Sequence, residues 1–274
     1  MKHYCNPFLF LFLLLFSVHS HAQTESNRES RLTGTSTEII HTPTAGTLGQ
    51  SELRLGLQVY PNGGVLLDTG VGILSRLYLK VYYGGENLIG EGNVNWNQHI
   101  GFDVRCRVFD ETMLFPGIAV GINTQGYGGF YSQVNNTYIN RYEIKSRGIY
   151  GVASRNYVTP FGDAGVHLGA NVSFERSDND KDLDIFFGSN VGIKNIGEIL
   201  IEYDAGLNDN ENQSFGSNRG YLNTGIRFFI SNNFILTFHF TNLFKNTKSH
   251  KSFGREIRIE YRKKFSISHM ANVK

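Results

Sequence analysis

Ile100-Gly101-Phe102-Asp103-Val104-Arg105-Cys106-Arg107-Val108 alternates almost without a break. Ile100, Phe102, Val104, Cys106 and Val108 are apolar, while Asp103, Arg105 and Arg107 carry charge. Successive side chains of a strand point to opposite faces, so this segment predicts a strand with one greasy face and one ionic face. The pattern spreads in both directions. Leu53, Leu55, Leu57 and Val59 oppose Arg54 and Gln58, and Leu77, Leu79, Val81 and Tyr83 oppose Tyr78, Lys80 and Tyr82. Toward the C-terminus, Val166-Leu168-Ala170 opposes His167 and Asn171, Ile199-Ile201-Tyr203 opposes Glu202 and Asp204, and Ile257-Ile259-Tyr261 opposes Arg258, Glu260 and Arg262.

About twelve such strands are predicted, at 51–60, 64–73, 76–84, 97–109, 116–123, 146–156, 163–174, 182–193, 196–205, 219–230, 233–243 and 254–265. Their connections decide the topology. Those after the even-numbered strands are short, and those after the odd-numbered ones are mostly long and polar, the longest running from Thr124 to Lys145. Pro61-Asn62-Gly63 breaks the rule with a tight turn, and Asn-Gly is a strong hairpin signal. A soluble sandwich would bury its apolar faces together and has no reason to alternate its loop lengths. A transmembrane, antiparallel, up-and-down β-barrel accounts for both, with apolar side chains toward lipid and polar ones toward the lumen.

The N-terminus agrees with export. Lys2 precedes the apolar stretch Phe8 to Phe16, and Ser20-His21-Ala22 forms a small-residue cleavage pattern. Residues 1–22 are read as a signal peptide, 23–50 as an irregular periplasmic lead-in, 51–265 as the outer-membrane barrel and 266–274 as a C-terminal tail. Both termini are then periplasmic, and whether 23–50 enters the lumen is left open. Cleavage leaves Cys106 alone, which excludes an internal disulfide and suggests a small buried hydrophobe. Lys and Arg total 26 against 24 Asp and Glu, so no nucleic-acid partner is indicated.

A resemblance extends from His41 to about Tyr157. His41-Thr42-Pro43-Thr44-Ala45-Gly46, Phe102-Asp103-Val104-Arg105, Pro116-Gly117-Ile118-Ala119-Val120-Gly121 and Tyr150-Gly151-Val152-Ala153-Ser154-Arg155 resemble the YjbH-like outer-membrane barrels linked to exopolysaccharide production. The resemblance implies an envelope role connected with surface polysaccharide. It implies no particular reaction.

Candidate chemistry lies mainly on the inward face. Arg105, Arg107, Arg227 and Arg258 would form a charge network with Glu202, Asp204 and Glu260, either pairing across a narrow lumen or attracting an anionic solute. Tyr127, Phe130 and Tyr131, in a glycine-rich loop, are candidate loop contacts for sugars, although an interfacial aromatic girdle ranks first. Asp178, Asp180, Asp182 and Asp184 repeat at every second position, but the closing Glu of a calcium loop is missing and a solvated hairpin end is the better reading. For an outer-membrane lipid hydrolase, His239-Phe240-Thr241 and His250-Lys251-Ser252 offer a hydroxyl two residues from an imidazole, without a marked orienting group. The expectation is therefore an envelope binding or transport barrel with no cofactor, metal or catalytic set. Its partners would be outer-membrane lipid and lipopolysaccharide, the barrel-assembly machinery and surface polysaccharide. The alternatives are a lipid-modifying hydrolase and a plugged structural or adhesive barrel.

Overall fold

The computed structural model describes residues 36–134, 136–160, 162–193, 196–211, 214–248 and 252–265. The expected signal peptide, the first part of the lead-in, His250-Lys251 and the C-terminal tail lie outside these residues. The strands are β1 (Glu52–Tyr60), β2 (Gly64–Leu74), β3 (Leu77–Glu86), β4 (Asn95–Trp96), β5 (Gly101–Phe109), β6 (Gly117–Asn123), β7 (Tyr127–Val134) and β8 (Thr137–Ile144). They continue with β9 (Gly148–Val158), β10 (Asp163–Val172), β11 (Asp184–Ile193), β12 (Gly197–Asp204), β13 (Tyr221–Phe229), β14 (Phe234–Thr241) and β15 (Gly254–Lys264).

Twelve of them close into one antiparallel ring, in the order β1-β2-β3-β5-β6-β9-β10-β11-β12-β13-β14-β15. β1 completes the ring by pairing with β15, Leu55 opposite Tyr261, so the ladder has no free edge. The Phe265 N–H adds a last bond to the Ser51 carbonyl at 2.9 Å. All twelve ring strands fall where the sequence places them. The short β4 and the β7–β8 hairpin, both within long connections, do not follow from the alternation.

Facing side chains sort as lipid demands. Leu67, Leu168 and Ile257 point outward and are exposed, while Arg54, Lys80 and Glu202 on the opposite faces are fully buried. Cys106 lies on the outer face and is exposed. This corrects the expectation of a buried thiol, because the apolar face here meets lipid rather than a protein core. At the Asn62-Gly63 turn both residues have positive φ, 62° and 61°, as a type I′ hairpin requires. A Cβ on Gly63 would also strike the Ile89 carbonyl, since the 87–100 connection folds over this tight turn and bonds to it.

Candidate functional site

A narrow barrel needs its interior filled by side chains, water or a plug. Here the chain ahead of β1 does the filling. Residues 37–46 and Leu48, apart from the accessible edge at Thr47, are buried inside the ring. They form a hairpin in which the Thr44 N–H donates to the Thr37 carbonyl (3.1 Å) and the Ile39 N–H to that of Thr42 (3.0 Å), with a bridge between Glu38 and Pro43. Its two arms lie toward the rim of short turns, and its tip, Ile39 to Thr42, points toward the rim of long loops.

The tip is locked by β12. The Glu202 carboxylate accepts the backbone N–H groups of Ile40 (3.0 Å), His41 (2.9 Å) and Thr42 (2.9 Å), the Thr42 hydroxyl (2.8 Å) and the Asn223 amide (2.7 Å). An anion thus satisfies three donors that a tight tip leaves unpaired, which is why an irregular segment tolerates burial here. His41 adds a contact to Glu256 at 3.1 Å, and its ring stacks on Tyr127 at 3.7 Å. The Tyr127 hydroxyl donates to the His41 carbonyl (3.2 Å).

The arms are held by arginines. Arg105 donates to the carbonyls of Thr37, Thr44 and Gly46, and Arg227 to those of Glu38 (3.0 Å) and Ile39 (2.8 Å). Arg105 is itself oriented by Asp103 (2.7 Å) and the Tyr150 hydroxyl (2.7 Å), and Arg227 by Glu198 (2.8 Å). Arg107, nearer the short-turn rim, reaches the Ala45 carbonyl at 2.9 Å. Ser154, His167 and Asn190 form a relay across β9, β10 and β11, with contacts of 2.8 and 3.0 Å. Ser154 Oγ accepts the Ala45 N–H at 2.7 Å, so this relay positions the hairpin.

Arg258 and Glu260 belong to the cluster around Glu38. Arg54, Lys80 (3.1 Å) and Arg258 (3.1 Å) all pair with its carboxylate, while Asp68 and Glu260 share the same cations from the wall. Asp204 sits apart, pairing with Arg147 at 2.7 Å. One cavity beside the hairpin at Glu38 to Ile40, and another between Gln58, Tyr127 and Glu256, amount to about 10 Å³ each, room for a single water.

A second layer covers the mouth. β7 and β8 form their own ribbon, which meets β3 and β4 on one side and, through Tyr131 and Phe215 with ring centroids 5.0 Å apart, the 205–220 loop on the opposite side of the ring. Phe130 packs edge-on against Tyr142 and His99. Tyr127, Phe130 and Tyr131 therefore face other loops and the hairpin, which corrects the expectation of a lipid-interface girdle. Arg141, fully buried, bonds Asp178 and Asp209 (2.8 Å) and lies 4.9 Å from the Phe215 ring, while Lys145 reaches Asp178 at 2.8 Å. Asp178 and Asp180 are buried, not solvated, because these cations and loop N–H groups claim them. Burial pushes the nearby Glu175 carboxyl up to about 7, against bonds from Ser146 and the Tyr142 N–H and the attraction of Arg141.

His239 and Thr241 point inward and join the Glu256 network, away from lipid. The hairpin, the hold of Ser154 on Ala45 and the Arg141 latch are not legible from alternation, because each involves a segment without a period.

No protein-family model matches the chain, and no curated protein matches it. Similar solved structures include the KdgM porin, at 10% identity and a TM-score of 0.45, over 77% of this chain and 98% of that one. The KdgM porin in complex with disordered oligogalacturonate aligns at 12% identity and a TM-score of 0.47, over 77% and 98%. The outer membrane channel DcaP of Acinetobacter baumannii aligns at 8% identity and a TM-score of 0.30, over 77% and 95%. On its own geometry, a closed twelve-strand ladder with an apolar exterior and an ionic lumen, the chain is an outer-membrane β-barrel.

Proposed function

We propose that this barrel is an envelope transport component held closed at rest by its own N-terminal hairpin, and not a constitutively open pore. The observation that carries the reading is the grip of Glu202 on three consecutive backbone N–H groups of the hairpin tip. Non-helical backbone at membrane depth is tolerated where protein buries it, and its bonds here run to side chains that can be released one at a time. Withdrawal toward the short-turn rim would carry Glu38 away from Arg54, Lys80 and Arg258 and leave their charge uncancelled, which favours anions at that level of the lumen. We place the short-turn rim in the periplasm and the long loops outside, as such barrels are built. The resemblance of the His41-Thr42-Pro43 and Tyr150-Gly151-Val152 segments to the exopolysaccharide-linked barrels makes an anionic surface polysaccharide the solute class to try first. The test is conductance in planar bilayers of the intact chain and of a variant with residues 37–46 excised. The reading expects a silent intact chain and an anion-selective excised one that charged oligosaccharides block. An excised barrel that folds and stays silent would support the plugged scaffold instead.

A further inference from the structure

Most of the hairpin is held through its backbone, but Glu38 is held by its side chain. Arg54 from β1, Lys80 from β3 and Arg258 from β15 converge on its carboxylate. Arg54 and Lys80 are fully buried. The wall supplies two carboxylates to these three cations, Asp68 and Glu260, which leaves a positive charge for Glu38 to cancel even before Arg262, which shares Glu260, is counted. Buried cations without an anion are strongly unfavourable, so the wall requires a carboxylate that it does not itself provide. Two guanidinium groups and an ammonium around one carboxylate form a recognition geometry rather than a diffuse field.

We infer that Arg54, Lys80 and Arg258 form a carboxylate-binding site of the lumen, filled by Glu38 in the closed state and by a carboxylate-bearing solute once the hairpin leaves. The role of the solute rests on the gating reading above; the site itself does not. A water-sized cavity already lies against Glu38 and Arg258, so shortening Glu38 would leave space that connects with it.

The test uses the full chain with the hairpin in place. Glu38→Ala removes the carboxylate and leaves a gap of the size of acetate, which the adjoining water-sized cavity extends to that of propionate. The unfolding midpoint of this variant in detergent should fall by several degrees, and propionate should restore about half or more of the loss, while propionamide and chloride should not. Adding Lys80→Met to Glu38→Ala should abolish the response to propionate. Equal effects of propionate and propionamide, or none from either, would overturn the site. Should Glu38→Ala fold poorly, its refolding yield with propionate against propionamide gives the same reading. Glu38→Gln, which keeps the shape, should also be destabilised, and a midpoint equal to that of the native chain would likewise count against the site. Because the hairpin need not move in any of these measurements, their failure leaves gating untouched, whereas a silent excised barrel would remove gating and leave the site standing.

Discussion

Glu202 holds Thr42 twice, accepting its backbone N–H at 2.9 Å and its hydroxyl at 2.8 Å, from a strand 160 residues away in sequence. One carboxylate thereby fastens the tip of a segment that has no ladder of its own. Glu202→Gln keeps the shape but loses the charge and turns one acceptor into a donor facing N–H groups. Charge-assisted bonds are worth about 1.5 to 3 kcal/mol each and do not add, so a loss of at least about 2 kcal/mol is expected. Brief conductance bursts in bilayers, absent from the native chain, would accompany it. A variant as stable and as silent as the native chain would show that the tip is held by something else.

Arg141→Ala should loosen the mouth and spare the ring. It takes from the buried Asp209 its cation and leaves Asp178 with Lys145 alone, a change that costs about 3 kcal/mol locally. Limited proteolysis should cut within residues 124–147 much faster than in the native chain, while the barrel keeps its heat-modifiable migration on gels. Unchanged cleavage would contradict the latch.

The same layer should respond to pH through Glu175. Burial raises its pKa from 4.5 to about 7 in the folded chain. A raised acid contributes stability fully below its unfolded pKa, and that contribution is lost as pH rises through the folded value. Amide exchange in the loop layer should therefore quicken between pH 4.5 and 7, by an amount worth on the order of 1 to 2 kcal/mol after correction for intrinsic exchange. Glu175→Gln should flatten this dependence and slow exchange at pH 8. A variant with the same pH slope as the native chain would point to another titrating group.

Ile257→Arg tests the lipid face. Ile257 points outward from β15 and is 45% exposed, so an arginine there meets hydrocarbon. Folding into bilayers should weaken by about 1 to 3 kcal/mol, as for a cation between the midplane and the rim of a barrel wall. An unaffected variant would place that position outside the membrane.

The ring was legible because alternation reports face directly. Ile257 outward and Arg258 inward need only the period, and Asn62-Gly63 announces its turn through the two positive φ angles it accepts. Partners are a different matter. Arg105 could be read as inward, but not as the donor to Thr37, Thr44 and Gly46, because those carbonyls lie in a stretch without periodicity. Asp178 and Asp180 read as solvated for the same reason, since the partners that bury them, Arg141 and Lys145 for Asp178 and the Asn210 and Glu211 N–H groups for Asp180, come from long connections whose path alternation does not give. Cys106 shows the converse error, where the face was right and the medium beyond it was taken for protein.

Single-channel conductance of the intact chain, compared with that of the chain lacking residues 37–46, tests the central claim most directly. The hairpin account predicts no steady current from the intact barrel and a stable, anion-selective conductance once the hairpin is removed. A steady conductance from the intact chain, unchanged by the excision, would contradict it.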